Sequence, residues 1–276
     1  MSTVTETRHR AEPARVTENP STGLSFVRIM SSELIKFRTL RSSWITLLAA
    51  VLTLFGIGLL LGWTSGKNFA TLAPEDALPS GVLQGYFLGQ LLIGVLGVLF
   101  VSGEYSTGMI RSTLAAVPKR VPVLLAKAVV FGGVALVTMT TAALATFLGA
   151  QVFLRHYGHG TGLTEPGVLR VVLGTGLHLA LVGLLGGALG WILRNTAGAI
   201  STLVGLLLVI PVLVMTLPWQ WTQDIGKYLP ADAGGAFVNS FQSPDALTPG
   251  TGLAVMVAWV VGAFTLAAVL LKRRDA

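Results

Sequence analysis

Residues 104–120 read EYSTGMIRSTLAAVPKR, the one long polar interruption in the first two-thirds of the apolar part of the chain. They lie between apolar runs at 83–103 and 123–153, each long enough to cross a bilayer. Ile110, Leu114 and Val117 recur at i, i+4 and i+7, which gives the segment one apolar helical stripe with Arg111 and Ser112 facing elsewhere. Gly108 stands near its start. Pro118 and Pro122 are expected to stop it, because proline has no amide to continue a helix and restricts the residue before it. A short basic helix tethered at both ends to membrane spans suits a segment that receives a push from a soluble partner. An ordinary interfacial connector has the same shape, so form alone does not choose between the two.

The composition around this stretch is that of a membrane protein. Of 276 residues 53% are hydrophobic and only 11% charged, against about 25% charged in an average soluble domain. There is no cysteine, which excludes disulfides, thiolate metal sites and a cysteine nucleophile. The net charge of +7 does not indicate nucleic acid, since the positive residues are spread along the chain beside apolar runs rather than gathered on one soluble face.

Six apolar runs, at 44–62, 83–103, 123–153, 168–193, 197–217 and 251–271, predict an all-α membrane protein of six transmembrane helices, followed by a basic tail at 272–276. Fifteen of the nineteen Lys and Arg fall on one side of this arrangement and only Lys67, Arg155, Arg170 and Lys227 on the other. The positive-inside rule then puts both termini and the 104–120 loop in the cytoplasm. Lys127 stands near the start of the third run, and a lysine at mid-bilayer costs about 2.5–3.5 kcal/mol on insertion scales. The span is therefore expected to begin close to Lys127 and let it snorkel to the cytoplasmic face. Glycines four apart, at Gly58 and Gly62, Gly85 and Gly89, and Gly186 and Gly190, with Gly183 and Gly187, indicate close helix packing.

Residues 1–23 have mixed charge, two prolines and no apolar periodicity, and read as a disordered cytoplasmic tail; no apolar region typical of a signal peptide follows within the first thirty residues. Residues 24–43 predict an amphipathic interfacial helix on the cytoplasmic leaflet. Phe26, Val27, Ile29, Met30, Leu34, Phe37 and Leu40 fall on one half of the wheel, and Arg28, Ser32, Lys36 and Arg38 on the other, with Arg41 at the end. Glu33 violates the pattern by standing among the apolar positions, and so does Ile35 on the polar side. A cationic flank that merely sets topology is the simpler reading of the same residues. The loop at 218–250 carries Trp219, Trp221, Tyr228, Phe237 and Phe241, a density of aromatics that suits a segment at the opposite interface.

The run Glu104-Tyr105-Ser106-Thr107-Gly108-Met109-Ile110-Arg111, with Leu114, Pro118 and Arg120 after it, resembles the first cytoplasmic loop of ABC-2-type transporter permeases, the membrane subunits of ATP-driven exporters. Ser32-Glu33-Leu34-Ile35-Lys36-Phe37-Arg38-Thr39-Leu40-Arg41 is similar to the amphipathic entry segment of bacterial members. Tyr228-Leu229-Pro230-Ala231-Asp232-Ala233-Gly234 resembles part of their last extracellular loop, with Ala-Asp where Ser-Asn is commoner after the proline. The resemblance covers roughly residues 25–274. It implies short re-entrant helices before the final span and a permease dimer, or a pair of homologous permeases, working with a separate ATPase dimer that holds ATP and magnesium. It also implies that Glu104, Tyr105, Gly108, Arg111, Leu114, Pro118 and Arg120 couple to that ATPase, and that Glu33, Lys36, Arg38 and Arg41 belong to the interfacial helix.

Other chemistry is sparse. Gly62-Trp63-Thr64-Ser65-Gly66-Lys67-Asn68 has three residues between its glycines where a phosphate-binding loop has four, and Asn68 where that loop has Ser or Thr. His156 and His159 have no convincing third metal ligand nearby. His178 is an ionisable residue inside the fourth run; such a residue marks a bundle interior or a water-filled path, or is a neutral histidine bonded to a neighbouring helix. Paired carboxylates within the spans are not visible, which disfavours a proton- or sodium-coupled transporter. The longest stretches outside the spans, about 43 residues at the start and 218–250, are too short for an ATPase domain. The expected function is therefore that of a non-catalytic permease subunit in the cytoplasmic membrane, exporting a substrate with ATP hydrolysed by another chain. A non-transporting immunity or sensor subunit is the alternative.

Overall fold

The computed structural model describes residues 25–72, 79–116, 120–240 and 245–273. The tail at 1–23, Val117, Pro118 and Lys119 lie outside them. Among the described residues the chain is helical with no strand, and six of its helices are long and apolar enough to cross a membrane. The protein is a multi-pass membrane protein.

Helix α1 (Phe26–Thr39) meets α2 (Arg41–Lys67) at Leu40, whose extended backbone makes the corner. The indole of Trp44 donates to the Arg38 carbonyl at 2.9 Å and its ring meets Phe37 edge-on, which fixes the angle. A 3-10 turn at Gly81–Leu83 leads into α3 (Tyr86–Ser106). Helix α4 (Met109–Ala116) is the short segment between spans, and α5 (Arg120–His156) and α6 (Val168–Leu193) follow. The expectation that Pro122 ends the short helix is corrected. Pro122 lies in the first turn of α5, where helix amides have no internal partner and the missing N–H costs nothing.

The fifth span is not a continuous α-helix. Asn195 caps α7 (Thr196–Val204) by accepting from the Gly198 amide at 2.9 Å, and a π-helical turn at Gly205–Val209 joins it to α8 (Ile210–Thr216). Pro211 explains the turn: it cannot donate to the carbonyl four residues back, and the wider π geometry absorbs the interruption. Two short helices, α9 (Gln220–Gly226) and α10 (Pro230–Val238), precede the last span, α11 (Pro249–Arg273).

Helices α3 and α6 form the centre. Of the apolar window in each, 67% and 72% is buried, against 17% for the fifth span and for α11. Their backbones touch. A Cβ added to Gly97 would fall on the Gly183 carbonyl, and one added to Gly186 would fall on the Gly94 carbonyl. Without a hydrophobic force between helices in lipid, dispersion at this range and buried hydrogen bonds hold the pair. Ser102 and Thr196 add a hydroxyl bond of 2.8 Å from α3 to the start of α7.

Candidate functional site

The end of the bundle that carries α1 and α4 contains four charged side chains that lie far apart in the sequence. On α1 the positions Ile29, Glu33 and Phe37 follow one another at four-residue spacing and are all buried against the bundle. Phe37 packs edge-on against Phe100 and Phe131, with ring centroids 5.4 and 6.4 Å apart. Glu33, placed between the two apolar residues of its stripe, is carried into the same interior and is 0% exposed. Leu34, Ile35 and Val27 face outward instead.

Glu33 is met there by Lys127 of α5, which is 2% exposed. The lysine does not snorkel to the surface as the sequence led us to expect. Its Nζ lies 2.6 Å from Glu33 Oε2, 3.0 Å from Glu104 Oε1 and 3.3 Å from the Phe100 carbonyl, and 4.2 Å from the centre of the Phe100 ring. Lys36 completes the group from the other side. Its Nζ lies 2.7 Å from Glu33 Oε1, 2.9 Å from Glu104 Oε1 and 3.3 Å from Thr113 Oγ1 on α4. Lys36 thus has an acceptor for each of its three protons, while Lys127 donates to Glu104 and the Phe100 carbonyl and pairs with Glu33 by charge. Two formal negative charges and two positive ones cancel in a volume from which water is largely excluded.

Such an arrangement is stable only while its charges balance. Desolvating each ion costs several kcal/mol, and the attraction between ions about 3 Å apart at low dielectric offsets this only while each ion keeps its counter-ion. The balance is visible at Lys36. Burial by itself lowers its pKa, but the hydrogen bonds to Glu33 and Glu104, together with their negative charge, raise it above the ordinary 10.5.

The junction joins α1, α3, α4 and α5. Helix α4 is held to it by Thr113 and by Ile110, which is buried in an apolar cluster with Ile29, Val101, Leu124, Trp191 and Leu271. Gly108 turns the chain from α3 into α4 at φ +73°, a left-handed conformation that favours glycine. Tyr105 stands edge-on to Trp191 at 5.9 Å, and the Arg194 guanidinium lies 5.5 Å from the centre of its ring, which ties the end of α3 to the turn after α6. Arg120 donates to the Leu271 carbonyl at 3.2 Å in the last turn of α11, where a cation also suits the helix dipole. Of the predicted coupling residues, Glu104 belongs to the charged group, Tyr105 and Arg120 are tied to the turn after α6 and to the end of α11, Gly108 makes the turn into α4, and α4 carries Arg111 and Leu114 on its backbone. Arg38 and Arg41 are exposed and take no part in the junction.

Thr113 was not singled out in the sequence, and Lys127 was singled out only as a lysine expected at the membrane surface. A signal for Lys127 existed: it and Glu33 are opposite charges, each in a position its own helix should have made apolar. The sequence shows no paired carboxylates within the spans; Glu33 of α1 and Glu104 of α3 share Lys36 and Lys127 at the junction. His178, at the other end, is fully buried in α6 and bonded through Nε2 to Gln90 Oε1 on α3 at 3.1 Å, with Tyr86 and Phe237 edge-on around it. Its place is the bundle interior and its partner stands on a neighbouring helix, and no cluster able to hold a metal occurs among the described residues.

None of the curated proteins compared matches the chain. A family model described as ABC-2 family transporter protein matches residues 29–212, from α1 through α8 and well over half of the sequence. The match takes in every member of the charged junction, and six membrane-crossing helices suit a permease component. The chain belongs to the ABC-2 family of transporter proteins.

Proposed function

We propose that the chain is the permease half of an ATP-driven exporter in the cytoplasmic membrane, with both termini and α4 on the cytoplasmic side, and that the charged junction transmits the movement of a separate ATPase into the spans. The observation that carries this reading is Lys36, which contacts a side chain on α1, α3 and α4 at once. A force on α4 then reaches α3 through Glu104 and α5 through Lys127 without passing through a flexible side chain on the surface. The turn between α6 and α7 offers no comparable element, since only Arg194 and Asn195 separate the helices.

In this mechanism two ATPase subunits close on ATP, push the α4 helices of two permease copies, and switch the pair from inward to outward access. The exposed residues of α1, apolar Val27, Leu34 and Ile35 and basic Arg28 and Arg38, lie at the inner leaflet, the long basic side chains reaching to its headgroups. Purification of the full chain from native membranes in mild detergent is expected to bring down an ATPase with two permease copies. In sealed right-side-out vesicles that ATPase is expected to be shielded from added protease. A chain that purifies alone, or an ATPase digested from outside, contradicts the reading.

A further inference from the structure

At the end of the bundle away from the charged junction, a groove of about 880 Å³ opens between the start of α3, the fifth span and α10. Its volume falls within the range of small-molecule sites, roughly 300–1,000 Å³. One wall is apolar and comes from the irregular stretch of the fifth span, where Leu207, Pro211 and Met215 line it. The facing wall carries the polar groups, namely Tyr86 and Gln90 from α3, Asp232 from α10 and Asn239 just after it.

These groups are held in position from behind. Gln90 is 3% exposed, and its Oε1 is engaged by the buried His178, which holds its side chain in place. Helix α10 is fixed at its far end by Arg170, which donates to the Phe237 and Asn239 carbonyls at 3.3 and 3.2 Å. Two charged side chains line the groove, and their states differ. Lys227 is 3.2 Å from Asp224 and so already has a counter-ion. Asp232 has no ion pair among the described residues, and partial burial raises its carboxyl pKa. The charge left without a partner is therefore negative.

We propose that this groove binds amphipathic cations, the apolar body lying along the fifth span at Leu207, Pro211 and Met215 and the positive centre beside the Asp232 carboxylate. As a binding site it stands on the groove alone; as the substrate site of an exporter it rests on the function proposed above. An acyl chain of a neutral lipid fits the apolar wall but has no use for the carboxylate, so charge selectivity separates the two occupants.

The test is equilibrium dialysis of tetraphenylphosphonium and tetraphenylborate, ions of nearly equal size and opposite charge, against the full chain in phosphatidylcholine nanodiscs, with empty nanodiscs correcting for partition. Saturable binding of the cation, at least about tenfold tighter than the anion, is expected. Asp232→Asn is expected to weaken cation binding by about tenfold and Asp232→Glu to keep it, while Leu207→Trp, which fills the groove, removes it. Equal affinity for the two ions, no saturable cation binding, or full binding by Asp232→Asn overturns the proposal. No ATPase is needed in this assay, so its failure is distinct from an ATPase that does not copurify.

Discussion

Lys127→Met is expected to destabilise the protein by about 3–5 kcal/mol, the cost of breaking a buried ion group by removing one partner. Methionine matches the length of the lysine stem and packs in the same channel beside Phe100, so the change isolates the charge. It leaves Glu33 and Glu104 to share Lys36 alone, with Glu33 fully buried. The double variant Glu33→Gln/Lys127→Met removes one charge of each sign and is expected to recover most of the loss, because the remaining Lys36 and Glu104 still pair at 2.9 Å. Unfolding in detergent micelles, followed by a melting or denaturant curve, measures both. A single variant within about 1 kcal/mol of the parent, as for an ordinary surface ion pair, shows that Lys127 is not held in a dry junction.

Gly97→Val is expected to abolish the folded protein altogether. Ordinary overpacking costs about 1–3 kcal/mol because neighbouring side chains shift. Here the atom in the way is the backbone carbonyl of Gly183, and the whole of α6 has to move. That movement separates the central pair and disturbs Gly94 on Gly186 one turn away. Gly103→Ala on the same helix meets nothing within 4 Å and serves as the control, with a small gain in stability from the higher helix propensity of alanine. Fluorescence-detected gel filtration reads the outcome. A monodisperse peak of normal height for Gly97→Val refutes the close crossing of α3 and α6.

The six spans were legible because each needs only a long apolar run, and such runs survive any detail of packing. The helix pair at the centre was half legible. Glycine spacing marked Gly183 and Gly186, but their partners Gly94 and Gly97 are three apart and escape a search for glycines four apart. The π-turn was missed because Pro211 stands inside an otherwise strong apolar run, and periodicity does not reveal where a proline's missing bond is absorbed. At the junction, Glu104 was legible from its place at the end of a span and Lys36 from its place on the interfacial helix. Lys127 was misplaced for a physical reason: the cost of a buried lysine argues for the surface unless its counter-ions are known. Those counter-ions come from α1 and α3, 94 and 23 positions earlier in the chain. A glutamate on the apolar face of α1 was the missing half of that argument.

The junction's role as the transmission point is tested most directly by one labelling rate. The chain has no native cysteine, so Met215→Cys puts a single thiol on the groove wall, where the side chain it replaces is 83% exposed. With the full chain and its ATPase together in nanodiscs, maleimide labelling at this position is expected to differ by at least about threefold between the nucleotide-free and ATP–vanadate states, as an access switch requires. Adding Lys36→Met is expected to leave the ATPase bound and able to hydrolyse ATP but to remove the nucleotide dependence of the rate. A nucleotide-dependent rate that survives Lys36→Met unchanged contradicts transmission through the charged junction.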